Sequence, residues 1–90
     1  MDATQIFTAP TATINAEIAR LDVEITQQID IADQADVTIT NYQRAGASAD
    51  HRDVAAQQKI LDAARARIVE LDAEASLLFH ERYRREDAGI

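Results

Sequence analysis

The sequence of 90 residues contains no cysteine and no tryptophan, one proline and two glycines, and only 4% of its residues are aromatic. The absence of cysteine excludes disulfides and thiolate metal sites. The scarcity of glycine, proline and aromatic residues, together with abundant alanine, favours helix over sheet. No segment reaches the run of about 20 apolar residues that a membrane-spanning helix needs. Residues 1–10 lack the features of a signal peptide, so we expect a soluble all-α protein in the cytoplasm or within a virion.

Acidic residues outnumber basic ones, with 16 Asp and Glu against nine Lys and Arg, and the formal net charge is −7. A protein of this charge is repelled by phosphate backbones and by anionic membrane surfaces. We therefore expect a protein partner, and neither a nucleic acid nor a membrane.

Two stripes of mainly apolar residues follow the alternating steps of four and three that define a coiled-coil core. The first comprises Ile14, Ile18, Leu21, Ile25, Gln28, Ala32, Ala35, Ile39 and Tyr42, and the second Val54, Gln57, Leu61, Ala64, Ile68, Leu71, Ala75 and Leu78. The intervening segment contains no apolar side chain larger than alanine and includes Gly46, a residue suited to end a helix.

The two stripes match each other if the chain folds back near Gly46, because the residue numbers of facing positions then add to a constant. The facing pairs include Ile18 with Leu78, Leu21 with Ala75, Ile25 with Leu71, and Ala32 with Ala64. This pattern predicts an arm over 1–10 and a coiled-coil helical hairpin of two long antiparallel helices over 11–90. We place the first helix at about 11–45, the turn at about 46–50 and the second helix at about 51–86.

The second helix carries a further apolar stripe outside this core. It comprises Ala56, Ile60, Ala63, Ala66, Val69, Ala73 and Leu77, and the arm adds Ile6 and Phe7. Single exposed apolar residues are normal, but a row of alanines interspersed with larger side chains is typical of a close helix contact. We therefore predict these nine residues as a partner interface, through which the hairpin forms a homo-oligomeric helical bundle or joins a larger assembly.

The antiparallel register also places acidic residues of the two helices near each other. The predicted neighbours are Asp22 and Asp72, Glu24 and Glu74, and Glu17 and Glu81. Three interpretations are open: the helices splay at the end distant from the turn, basic groups of another subunit lie between the acids, or the exposed acids repel weakly through solvent.

The sequence predicts no catalytic, cofactor-binding or metal-binding residues. His80 belongs neither to a zinc-binding His-Glu-x-x-His motif nor to a di-iron Glu-x-x-His motif. Arg84 stands where the second zinc-binding histidine is needed, and Leu77 stands where the di-iron glutamate is needed. The basic cluster of Arg82, Arg84 and Arg85 suits the C-terminal end of a helix dipole. The alternative is a docking patch for an acidic partner.

The end of the second helix, from Tyr83 to Asp87, resembles the Tyr-x-x-x-Asp/Glu tail signal of WXG100 secreted proteins. This resemblance implies a secreted helical hairpin. The chain departs from that family because it has no Trp-x-Gly turn, and residues Tyr42 to Gly46 stand in its place.

We therefore expect a non-enzymatic structural or adaptor protein that acts through helix–helix packing, in a homo-oligomer or in an assembly such as a phage virion or scaffold. One alternative is a small acidic inhibitor or decoy that binds a basic groove of a host protein. The other is a secreted WXG100-like hairpin.

Overall fold

Three helices account for nearly all of the residues that the computed structural model describes, which are 1–46 and 51–89 without the side chain of His51. Helix α1 is Ala3–Thr8, α2 is Thr11–Ala45 and α3 is His51–Asp87. The described ranges contain no β-strand. The two long helices pack against each other, which confirms the all-α helical hairpin. The predicted turn at 46–50 falls largely outside the described residues, apart from Gly46.

The N-terminal arm contains a helix that the heptad pattern did not predict. Asp2 caps α1 by accepting a hydrogen bond from the Gln5 backbone N–H at 2.8 Å, and the Gln5 side chain accepts one from the Asp2 N–H at 2.9 Å. The backbone of Ala9 is extended, with ψ of 143°, because the helical conformation is disfavoured for a residue that precedes a proline. Pro10 therefore separates α1 from α2.

Gly46 follows the last residue of α2 with φ of 61°. This left-handed conformation costs little for glycine, which has no Cβ to meet the neighbouring carbonyl oxygen. The glycine predicted to end the first long helix thus has the left-handed backbone conformation that is common at helix C-termini.

The chain divides into two compact units: a first unit of Met1–Ile25 with Glu70–Ile90, and a second unit of Thr26–Val69. The core of the first unit contains Ile6, Ile14, Leu21, Leu71, Ala75 and Leu78, with Ile18 and Ile25 packed against it. Three predicted facing pairs, Ile18 with Leu78, Leu21 with Ala75 and Ile25 with Leu71, therefore lie in one cluster.

The core of the second unit is built from smaller side chains. Ala32, Ala35, Ile39, Leu61 and Ala64 are buried, and Val54 packs against them. The predicted alanine pair of this unit is therefore in the core. Gln28 and Gln57, the polar members of the two core stripes, are half-buried.

Hydropathy gives no candidate membrane span, since neither long helix contains, within its described residues, a stretch apolar enough to cross a bilayer.

Candidate protein-interaction site

Arg85 joins the last turns of α3 to the end of α1. Its side chain is buried and donates four hydrogen bonds: to the Glu81 carboxylate at 2.8 Å, to Thr11 Oγ1 at 3.1 Å, and to the backbone carbonyls of Ile6 at 3.2 Å and Phe7 at 3.3 Å. Carbonyls in the last turn of a helix have no partner within the helix and carry its negative dipole end. Arg85 supplies the missing donors and so anchors α1.

Glu81 holds Arg85 in place and is itself buried. It also accepts hydrogen bonds from Arg84 Nε at 2.9 Å and Nη2 at 2.6 Å. These bonds from Arg84, followed by the bond from Arg85, lower the pKa of Glu81 from 4.5 to about 2 despite its burial. The carboxylate is therefore charged at neutral pH, as a partner of two arginines must be.

This buried network was not predicted from the sequence. The sequence predicts a common role for Arg82, Arg84 and Arg85, either at the helix dipole or against an acidic partner. The structure separates them, since Arg85 is buried and Arg84 is exposed. One signal was present: continuing the steps of four and three beyond Leu78 leads to Arg82 and then to Arg85. An arginine at a core position needs a buried acceptor, and Glu81 stands one helical turn before it.

A groove opens between α1 and α3 beside this network. It has a volume of about 340 Å³ and is lined by Ala3, Ile6, Phe7, Leu77, His80, Glu81 and Arg84. Phe7 is 61% exposed and Leu77 is 52% exposed, and the Arg84 guanidinium lies 5.7 Å from the centre of the Phe7 ring. We call this feature the α1–α3 groove. It brings together three predicted interface residues, Ile6, Phe7 and Leu77, from opposite ends of the sequence.

Ile6 differs from the other predicted interface residues because its side chain belongs to the core of the first unit. Only 5% of its surface is exposed. It supports the floor of the α1–α3 groove and offers almost no area to a partner, so we leave it out of the proposed contact surface.

The remaining predicted interface residues are exposed on α3. In the second unit they are Ala56, Ile60, Ala63, Ala66 and Val69, which we call the outer stripe, and in the first unit Ala73 accompanies Leu77. Val69 is 70% exposed, the highest value among the exposed large hydrophobic residues described. These side chains are thus accessible to a partner, which a contact surface requires.

The described part of the chain contains no group of three His, Cys, Asp or Glu side chains arranged to hold a metal ion. His80 borders the α1–α3 groove and is exposed. Tyr83 and Asp87, which carry the WXG100 resemblance, are exposed near the end of α3. The Tyr83 ring stacks on Phe79, with centres 6.5 Å apart.

Comparison of the chain with models of protein families, with curated proteins and with solved structures gives no match.

Proposed function

We propose that this chain is a non-enzymatic structural or adaptor protein that packs against a second copy of itself through the outer stripe of α3. The observation that carries the proposal is an imbalance in the second unit. Among the described residues of this unit, the buried core has only two side chains larger than alanine, Ile39 and Leu61. Five large apolar side chains of the same unit are exposed: Ile29, Ile31, Val37, Ile60 and Val69.

This imbalance favours association because burying a large aliphatic side chain stabilises a protein by about 1.5–3 kcal/mol. A core rich in alanine contributes little to the stability of the second unit. Burial of its exposed large side chains by a partner would contribute more. Ala56, Ala63 and Ala66 accompany Ile60 and Val69 on α3, and small side chains allow a second helix to approach closely. A neighbouring helix could therefore bury the two larger residues without a steric clash.

The same reasoning favours a second copy over an isolated chain in solution. A two-helix unit of this size buries only part of its apolar surface, and small domains commonly gain stability by oligomerisation. Packing two hairpins into a four-helix bundle would supply the missing layer, with each α3 contributing its outer stripe.

The test is the mass of the protein in solution, measured by light scattering during size-exclusion chromatography. We expect the wild-type protein to be an oligomer. Replacing Ala63, Ala66 and Val69 by lysine should produce a monomer of unchanged helix content, because these side chains lie outside the core and three buried charges would oppose association.

A matched control adds the same charge elsewhere on the second unit. Gln27, Asn41 and Gln43 are exposed, neutral and located on α2, so their replacement by lysine should leave the oligomer intact. A monomeric wild-type protein, or equal dissociation of both triple variants, would contradict the proposal. Loss of helix content in the first variant alone would show that the outer stripe belongs to the core.

A further inference from the structure

A second groove runs between α2 and α3 in the first unit. It has a volume of about 510 Å³, and its apolar lining includes Ile18, Ile25, Ala75 and Phe79. Asp22 from α2 and Asp72 from α3 line the same groove, and both are exposed. We call it the α2–α3 groove. An apolar surface is thus bordered by a carboxylate from each helix.

The two aspartates are one of the like-charge pairs that the antiparallel register predicts. In another of these predicted pairs, Glu17 bonds Arg20 on its own helix, and Glu81 bonds Arg84 and Arg85 on its own helix. The structure has not separated Asp22 and Asp72 to opposite surfaces, since both border one groove. A cation in this groove would be attracted by both carboxylates.

The one basic side chain among the described residues that line the groove is Arg82. It pairs with Glu86 at 3.5 Å. Along α3, Ala75 and Phe79 lie between Asp72 and Arg82. Arg82 and Asn15 therefore mark one end of the groove, and Ile25 and Asp72 mark the other.

The charge of the first unit points to a basic occupant. This unit contains ten Asp and Glu residues and four Arg residues, a net charge of −6, whereas the second unit has six acidic and five basic residues. A partner of complementary charge is attracted over a distance and is also oriented as it approaches. An occupant with positive charge alone would leave the apolar lining of the groove exposed to water, so the occupant must also carry apolar side chains.

We propose that the α2–α3 groove binds an amphipathic helix of a different protein. One apolar side chain of that helix packs on Ile18 and Phe79, and a lysine or arginine reaches Asp22 and Asp72. Long basic side chains suit this position because their aliphatic stems cover apolar surface while the charged end meets the carboxylates. Phe79, stacked with the exposed Tyr83, provides the kind of aromatic contact that is enriched in binding hot spots.

This groove lies in the first unit and takes a different protein, so the inference is independent of the outer stripe in the second unit. It also differs from nonspecific attraction to an acidic protein, because it requires apolar contact and charge together. Helices that dock in a groove between two other helices are recognised in this combined way.

The experiment uses a fluorescein-labelled peptide of leucine and lysine placed at helical spacing, and measures its dissociation constant by fluorescence anisotropy at physiological salt. We expect Asp22→Asn with Asp72→Asn to raise the dissociation constant about tenfold. Both aspartates are exposed, so the helix content, checked by circular dichroism, should not change. The control is Asp30→Asn with Asp62→Asn, one exposed aspartate from each helix of the second unit, which should leave the dissociation constant unchanged.

Two further peptides test the two parts of the recognition. A peptide with glutamate in place of lysine should not bind, and neither should one with serine in place of leucine, although the latter keeps the positive charge. Equal binding of the serine peptide, or equal weakening by both pairs of aspartate substitutions, would overturn the inference in favour of general charge attraction.

The oligomer measurement separates this inference from the proposed function. The Ala63, Ala66 and Val69 lysine variant should bind the leucine–lysine peptide as the wild-type protein does, whatever its oligomeric state. If the Asp22 and Asp72 substitutions instead change the mass found by light scattering, the occupant of the groove is a second copy and the inference is wrong.

Discussion

The Glu81 carboxylate lies 2.8 Å from Arg85 Nε, and both side chains are buried at the end of α3. This ion pair is more than a contact within one helix, because the same guanidinium also holds the backbone of α1. Removing one member of a buried ion pair is costly, since its partner groups lose their hydrogen bonds in a place that water does not reach. The pair therefore links the N-terminal arm to the far end of the sequence.

We predict that Arg85→Met lowers the free energy of unfolding by about 3 kcal/mol. The substitution keeps an aliphatic stem but removes the guanidinium that donates to Ile6, Phe7 and Thr11, so α1 should also undock. Urea denaturation measures the first effect, and amide hydrogen exchange of residues 3–8 measures the second. Arg84→Met is the control: its side chain is half exposed and should cost less, leaving the exchange of α1 slow. Fast exchange in both variants would contradict the anchoring role of Arg85.

The stability contributed by Glu81 depends on pH with a defined sign. Its pKa is lowered to about 2 in the folded protein from an ordinary 4.5, so the unfolded chain takes up the proton first as the pH falls. The contribution is therefore complete above pH 4.5 and is lost progressively as the pH falls towards 2. Comparing urea midpoints of the wild-type protein and Glu81→Gln should give a difference that is largest at pH 7 and smaller at pH 3. A difference of the same size at both values would show that the charge of Glu81 does not stabilise the fold.

Two leucines of α3 provide a direct test of the core assignment. Leu71 is fully buried, whereas Leu77 is 52% exposed. Leu71→Ala should reduce the free energy of unfolding by about 2–5 kcal/mol because it leaves a cavity, and Leu77→Ala by less than about 1 kcal/mol. Both are measured by chemical denaturation at protein concentrations that favour the monomer. Similar losses for the two variants would mean that the faces of α3 are wrongly assigned.

Gly46 allows the left-handed end of α2 to be tested with little effect on packing, because, apart from its two chain neighbours, a Cβ at this position would meet no atom of the described residues within 4 Å. Gly46→Ala should therefore lose only the conformational preference of glycine, about 1 kcal/mol. Gly46→Asn should lose less, since asparagine adopts positive φ more readily than alanine. Thermal unfolding of the three proteins gives the order. Equal stability of Gly46→Ala and the wild-type protein would argue against a positive φ in solution.

Much of the helical core could be predicted from periodicity. Leu21, Ala75 and Leu71 were assigned to the core by steps of four and three, and the structure buries all three. Such predictions succeed because the position of a side chain around a long helix depends mainly on its residue number. The exposure of Val69 and Leu77 followed from the same rule.

Other features escaped prediction from periodicity for identifiable reasons. Helix α1 has six residues, too few for an apolar period, although the Asp2 and Gln5 capping box was visible in the sequence. Arg85 near a helix end is equally compatible with a solvated dipole contact, and only the arrival of α1 makes it a buried donor. The grooves could not be predicted either, because their volumes depend on how side chains from separate segments fill the space between helices.

For this protein, residue order alone determined that the segments of α2 and α3 are helical and which of their faces meet, because both depend on local periodicity and on side chains a few positions apart. Only the tertiary structure decided that Arg85 and Glu81 are buried, that Phe7 lies in the same groove as Leu77, and that Asp22 shares another with Asp72. The two groove pairs join residues far apart in the sequence, and the burial of Arg85 and Glu81 depends on contact with α1. The free energy of burial is set by all the groups that surround a side chain in the fold, and not by its neighbours in sequence alone.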